Sequence, residues 1–308
     1  MRVFITGATG VIGSRVVPLL VQAGNDVSAV SRSAHNRELL RRAGATPVEV
    51  DLFDVPSVRR AIAGRDAVIN LATHIPSSTT KMMLRWAWRE NDKIRRYGST
   101  AIAAAARAEG VRRMIQESYA TVYPDRGDAW IDESVPIAPT AYNRTILDAE
   151  RAADQFTEAG GTGVVLRFAN LYGPDALLAE MLGMMRRGWS PLPGDPNAYV
   201  SSVAQDDAAT AVVAALGVPA GTYNVVDDEP LRRGEWVRSL ADAAGIPMPK
   251  PLPAWMTKLG GSTVRLLSRS ERISNRKLRE ASGWAPKYRS ARDAWGDVLP
   301  ALSAARAA

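Results

Sequence analysis

The sequence predicts a doubly wound α/β fold, a parallel sheet with helices on both faces, and three observations predict it. Short apolar, β-branched runs recur at 3–6, 27–30, 47–51, 67–71, 113–117, 163–168 and 223–226. Helix-forming stretches lie between them: Ile12, Val16, Leu20 and Val21 keep one helical stripe, 101–108 is nearly all alanine, and 142–159 is rich in helix formers. The first strand also ends in a glycine turn that opens a helix. Strand and helix in alternation imply parallel pairing, because each parallel neighbour needs a crossover, and the crossovers cover both faces.

The elements follow in order. The opening strand runs into Thr6-Gly7-Ala8-Thr9-Gly10-Val11-Ile12-Gly13, with glycines three apart. Glycine allows positive φ and leaves no Cβ in the way of a pyrophosphate, while the helix start offers unpaired N–H groups and a positive dipole end. This turn is the fingerprint of a dinucleotide-binding Rossmann unit. Pro18 inside the helix forfeits a backbone hydrogen bond, so a bend is expected there. The second strand ends in Val30-Ser31-Arg32-Ser33, with no acid to hold the two ribose hydroxyls of NAD. An arginine flanked by hydroxyls suits a 2′-phosphate, which favours NADP over NAD. Asp51-Leu52 after the third strand is placed to approach adenine, and Asn70-Leu71-Ala72-Thr73 ends the fourth strand beside the cofactor channel.

After residue 170 prolines punctuate shorter elements, yet 222–226 again reads as a buried strand. The expected organisation is therefore a dinucleotide-binding unit at 1–170, with 200–226 contributing, and a smaller interleaved region at 171–308 that is mainly substrate-binding. Trp255, Trp284 and Trp295 are assigned to the core of that second region.

Composition narrows the function classes. The chain has 308 residues, 46% hydrophobic and 23% charged, which is a globular balance. It has no cysteine and only His35 and His74, which excludes disulfides, thiolate catalysis and Cys-ligated metal, so no metal is expected. No apolar run is long enough to cross a bilayer and the N-terminus begins at once with a strand, so a soluble cytoplasmic protein is expected, with no membrane partner. The net charge of +7 is spread along the chain, and Arg37, Arg41 and Arg42 form a helix face without interleaved aromatics, so no nucleic-acid partner is expected.

These residues resemble the extended short-chain dehydrogenase/reductase family, in its NAD-dependent epimerase/dehydratase branch. The likeness also covers Val122-Tyr123, Tyr142 with Glu150, 166–174 (LRFANLYGP), Asp206-Asp207-Ala208-Ala209-Thr210-Ala211, Tyr223-Asn224-Val225, Ser274-Asn275 and Gly283-Trp284-Ala285-Pro286. It implies a cofactor contact at Asn170, and a catalytic Ser or Thr past the fifth strand with a Tyr and a Lys four residues apart on a helix. A nearby cation makes the tyrosine useful, because it stabilises the phenolate. This chain departs from the pattern: Tyr119 stands at the Ser/Thr position and Ile146 at the Lys position. Ser118 is one residue out of register and would face the other side of its strand. Arg144, at i+2 from Tyr142, projects from a different side of a helix than i+4 does.

Three readings follow. The first is an NADP-dependent reductase or epimerase with Tyr142 as proton donor and Tyr119 holding the substrate oxygen, helped by an arginine from elsewhere in the chain. The second is a cofactor-bound enzyme that performs proton transfer or cyclisation without net redox change. The third is a non-catalytic NADP-sensing module. The ligand of an open parallel sheet lies beyond the carboxyl ends of its strands. The substrate candidates there are Thr73, His74, Ile75, Pro76, Tyr119, Thr121, Tyr142, Asn170, Tyr172 and the 191–199 loop. His74 is the one base among them that titrates near neutral pH. Trp86 and Trp88, two apart, cannot share a helix face, so at least one should meet a pocket wall or a partner chain. A pocket-lining tryptophan would suit a flat, aromatic or polyketide-like small molecule. The resemblance also implies a homodimer, formed through the helices near Ala101 and Tyr142.

Overall fold

The computed structural model describes all residues except Ser77, Met83, 253–260 and Ala308. Seven parallel strands form the main sheet: β1 (Arg2–Thr6), β2 (Asp26–Val30), β3 (Thr46–Val48), β4 (Ala67–Asn70), β5 (Arg113–Tyr119), β7 (Thr162–Phe168) and β11 (Gly221–Val225). Their spatial order is β11-β7-β5-β4-β1-β2-β3. Two-residue and three-residue strands make small satellite pairs: β6 (Trp130–Ile131) with β13 (Arg272–Ile273), β8 (Asn170–Tyr172) with β10 (Ser202–Ala204), and β9 (Tyr199–Val200) with β12 (Leu231–Arg232).

The strands are apolar on both sides because both sides are covered. In β1, Val3 and Ile5 face one core while Phe4 faces the other, and Val68/Ile69 in β4 and Met114/Ile115 in β5 divide in the same way. One layer holds α1 (Gly13–Gln22), α2 (Ala34–Arg42) and the Gln205–Ala214 helix. The opposite layer holds α3 (Val55–Ile62) and the Ser99–Ala108 and Ile146–Glu158 helices. Full burial of Phe4 alone is worth about 1.5–3 kcal/mol. The alanine face of Ser99–Ala108 is buried within the chain, with Ala105 and Ala106 sealed off from solvent. A separate apolar cluster joins the Ala176–Arg186, Arg233–Ala243 and Ala291–Ala307 helices around Trp236 and Trp295. Among the described residues no helix is long and apolar enough to cross a membrane.

α1 runs through Pro18 as one continuous helix. The structure departs from the sequence reading in three places. The third strand ends at Val48 rather than Asp51; it is a sheet edge, and Asp51 instead accepts from the Phe53 N–H at 2.9 Å in the following turn. Trp295 lies in the second cluster as expected, but Trp284 belongs to the core of the main sheet, where its Nε1 donates to Thr210 Oγ1 at 3.0 Å. The short Arg276–Ser282 helix, which ends at left-handed Gly283, carries Trp284 back against the sheet. Trp255 lies outside the described residues. Tyr142 is not on a helix: residues 141–145 form a turn, and the helix starts at Ile146. The Asn143 side chain accepts from Thr140 N at 2.8 Å and donates to Thr121 O at 2.7 Å, so it competes for backbone groups that a helix would use.

Candidate active site

Main-sheet order reverses between β1 and β4, so a crevice opens at their carboxyl ends. A buried polar chain fixes its floor. Thr6 Oγ1 donates to Asn70 Oδ1 at 2.6 Å, and Asn70 Nδ2 donates to Gln116 Oε1 at 2.8 Å and Ser99 Oγ at 3.2 Å.

The glycine turn lies across this floor. Gly7 adopts φ +66°, and a Cβ there would collide with the Leu71 carbonyl. A Cβ on Gly13 would strike the Gly7 carbonyl, whereas one on Gly10 would meet only that carbonyl, at 3.1 Å. Gly7 and Gly13 thus close the turn onto Leu71-Ala72 and onto itself, and Gly10 leaves its outer side open. Val11 and Ile12 precede the first turn of α1, and their N–H groups accompany its positive dipole end. This cradle fits a dinucleotide pyrophosphate, with Thr9, Val11, Ile12 and Gly13 as its rim.

At the end of β2, Ser31 is buried while Arg32 and Ser33 are exposed; Ser33 caps α2 by accepting from Asn36 N at 3.1 Å. Asp51 and Leu52 follow β3, and Thr73 lies partly buried just beyond buried Leu71 and Ala72. His74 exposes its side chain, and its backbone N–H donates to Asn91 Oδ1 at 2.9 Å.

Two phenols stand at the mouth of the crevice. Tyr119, the last residue of β5, donates to Asn170 Oδ1 at 2.6 Å, and Asn170 Nδ2 donates to Ser201 O at 3.0 Å. Asn170 is therefore tied between the sheet and the second region. Tyr142 packs edge-on against Trp88, ring centroids 4.7 Å apart, and its hydroxyl has no hydrogen-bond partner among the described residues. Trp88 is buried and Trp86 exposed, so of this pair it is Trp88 that reaches the site. Burial pushes the Tyr119 phenol up to about 12, and burial with the neighbouring Tyr119 pushes Tyr142 above its ordinary value. Thr121, two residues beyond Tyr119, is buried.

The neighbours that sequence reasoning weighed as replacements lie elsewhere. Ser118 points away, donating to Glu150 Oε1 at 2.6 Å, where Arg167 grips both Glu150 oxygens at 2.8 and 2.7 Å. Ile146 is fully buried in the sheet core, and Arg144 is exposed. What the spacing missed is Arg95. It lies in a π-helical turn, Ile94–Gly98, is 5% exposed, and pairs with Glu117 on β5 at 3.0 Å. Its charge acts on both phenols, opposing the effect of burial. Sequence gave no local signal for it, because Arg95 sits in the run Lys93-Ile94-Arg95-Arg96 that resembles a solvated face.

Comparison with known proteins places this geometry. The family model for the NAD dependent epimerase/dehydratase family matches residues 3–225. The 3-diazoavenalumate denitrifying reductase of a Streptomyces species is 33% identical, covering 96% of this chain and 99% of that protein. A 2-alkyl-3-oxoalkanoate reductase of Stenotrophomonas maltophilia is 30% identical, over 80% and 77% of the two chains. Among solved structures, the dTDP-glucose 4,6-dehydratase DesIV of Streptomyces venezuelae, with NAD and TYD bound, superposes with a TM-score of 0.80 at 20% identity, covering 100% of this chain and 98% of that one. The UDP-glucose 4-epimerase of Thermus thermophilus in complex with NAD gives 0.77 at 23% identity, covering 99% and 100%. The chain therefore belongs to the NAD-dependent epimerase/dehydratase family, a group of nicotinamide-linked oxidoreductases and epimerases.

Proposed function

We propose that the protein is an NADP(H)-dependent reductase of a small, flat aromatic metabolite, working in the direction of reduction. The observation that carries this reading is the pair of phenols at the crevice mouth, Tyr119 held by Asn170 and Tyr142 packed on Trp88, with no lysine at position 146. A base that takes a proton from an alcohol must first be a phenolate, and burial holds both tyrosines away from that state. A neutral phenol still donates readily to an oxyanion. Oxidation and epimerisation are thereby disfavoured and reduction is not.

When bound, the reduced coenzyme supplies hydride. Gly7, Thr9, Gly10, Val11, Ile12 and Gly13 would hold its pyrophosphate, Ser31 and Arg32 its 2′-phosphate, Asp51 and Leu52 its adenine, and Leu71, Ala72 and Thr73 its channel wall. Tyr142, with no hydrogen-bond partner among the described residues, is the proton donor to the substrate oxygen. Tyr119, oriented by Asn170, steadies that oxygen, with Thr121 behind it. Trp88 supports an aromatic substrate at Tyr142. His74, turned to solvent, has the weakest place in this scheme. Residues 1–170 with 200–226 would carry the coenzyme, and 171–308 would cover the substrate.

A second electrophile is favoured by the end-to-end likeness to a diazo-compound reductase. An aryl diazo group accepts hydride and departs as dinitrogen, so it asks little of a phenol. The test follows NADPH absorbance at 340 nm with panels of aromatic ketones and aryl diazonium salts, and NADH in parallel. Bleaching with NADPH is expected. No bleaching with any acceptor, while coenzyme binds, would overturn the reading in favour of non-redox chemistry or a sensor. Tyr142→Phe should lower ketone turnover by about 100-fold or more, the usual worth of a general acid; full retained activity would remove Tyr142 from this role.

A further inference from the structure

We propose that Arg95, clamped by Glu117, is the positioning cation of this site and stabilises the phenolate left on Tyr142 after it gives its proton to the substrate oxygen. The inference rests on the reductase reading above and adds the residue that replaces the absent lysine.

Four observations converge on Arg95. The guanidinium is buried, its side chain 6% exposed, and Glu117 beside it is 10% exposed. Nη2 donates to Glu117 Oε1 at 3.0 Å, yet the Nε–H is sealed from solvent with no acceptor among the described residues. A buried donor left open is costly, and such groups concentrate where a ligand or a transient charge completes them. Arg95 is presented by a π-helical turn, a local widening of the helix that frequently occurs at functional sites. Finally, Glu117 and Tyr119 are two apart on β5, so they share one face of the strand, and Arg95 is held on the face from which Tyr119 projects.

The balance of the step is simple. The coenzyme, when bound in its reduced form, would supply hydride to the carbonyl carbon; the C=O π pair would move to oxygen and the Tyr142 proton would pass to that oxygen. One negative charge then remains on the phenol. The charges that act on it are those of Arg95, Tyr119 and Asp92, and on Tyr119 those of Arg95 and Glu271; Arg85, whose Nη1 donates to the Ala141 carbonyl at 2.6 Å, and exposed Arg144 flank Tyr142 along the chain, and Glu117 faces Arg95. Arg95 is the cation in both sets. A lysine one helical turn along would do the same from Tyr142's own element; here the charge comes from a different one.

The test compares wild type, Arg95→Gln, Arg95→Lys and the double variant Arg95→Gln/Glu117→Gln on an aromatic ketone and on an aryl diazonium salt. The second takes hydride at its terminal nitrogen and loses dinitrogen without a proton from the phenol. For Arg95→Gln we expect kcat on the ketone to fall about tenfold or more with KM little changed, as befits a shift of one unit or more in the phenol. The alkaline limb of kcat should move up in pH, and the diazonium rate and NADPH affinity, read by fluorescence, should hold. Arg95→Lys should recover most of the loss. Thermal melts identify a variant that fails to fold; the double variant, which leaves no unpaired buried charge, then carries the same expectation. Equal loss on both acceptors, an unchanged ketone rate, or no advantage of Lys over Gln would each overturn the proposal. So would a wild type that reduces the diazonium alone, without touching the reductase reading. A wild type inert toward every acceptor would sink both.

Discussion

A side chain's chemistry here depends on who else is allowed near it. Among the described residues Tyr142 keeps its hydroxyl free, its ring gripped by Trp88 rather than by a polar neighbour, whereas Tyr119 spends its proton on Asn170. The same logic governs Arg32. It stands exposed at the end of β2 between two serines, with no carboxylate at the ribose position to compete for it. If it holds a 2′-phosphate, Arg32→Ala should cost about 1.5 kcal/mol or more of NADPH binding, roughly tenfold in Kd, with NADH binding unchanged. Fluorescence titration with both coenzymes measures this, and equal weakening would return Arg32 to the solvent. Most of these residues were legible one at a time in the sequence. Arg95 was not, since nothing in Ile94-Arg95-Arg96 separates the buried arginine from the exposed one that follows it.

Elements differ in how much of their geometry is local. The glycine turn is largely local: strand, three glycines and helix start are adjacent in the chain, and their spacing alone marks a pyrophosphate cradle, while the Leu71 and Gly7 carbonyls decide that Gly7 and Gly13 pack tightly and Gly10 stays open. The three positions should therefore separate in mutagenesis. Gly7→Ala carries about 1–2 kcal/mol of backbone strain at φ +66°, before its clash with Leu71, and should lower the melting temperature. Gly10→Ala should leave stability within about 0.5 kcal/mol while weakening coenzyme binding. Calorimetric melts with and without NADPH distinguish them; a Gly10 variant that binds normally would place the pyrophosphate elsewhere. The segment 142–159 behaved differently. Its composition favours helix throughout, but Asn143 finds acceptors and donors on Thr140 and Thr121, and Thr121 belongs to a loop after another strand. Propensity yielded to a contact that one segment's composition does not contain.

At the scale of the molecule, charge burial ties the two cores together. Glu150 and Arg167 join the Ile146–Glu158 helix to β7, and Arg167 Nη1 reaches Tyr123 Oη at 2.8 Å, whose hydroxyl donates to Asn224 on β11 at 2.9 Å. Glu271 is a less satisfied example. Its Oε1 is buried without a partner among the described residues, and burial holds its carboxyl well above the ordinary value of 4.5, against the pull of Arg269 and Arg233. The folded chain thus keeps this proton at pH values where the unfolded chain has released it. The group's contribution to stability is complete below about 4.5 and is lost as pH rises through the folded value. Glu271→Gln should gain on wild type as pH is raised from about 4.5 toward 7, by up to about 1.4 kcal/mol per pH unit until the folded value is passed. Urea midpoints at several pH values measure the difference, and one that stays flat would refute it.

The sequence by itself determined the parallel sheet, its glycine cradle and the order in which strands and helices meet, because periodicity and turn chemistry act between residues close in the chain. It also set Tyr119 and Ile146 where the resemblance looks for a Ser or Thr and a Lys, a reading that the Tyr142 and Arg95 variants test. What only the tertiary structure decided is which charge attends the phenols, where Trp284 packs and where the Tyr142 helix begins. Each of these depends on atoms brought together from separate strands and loops, and the strength of a buried charge is set by the neighbours and the water around it, which no local spacing encodes.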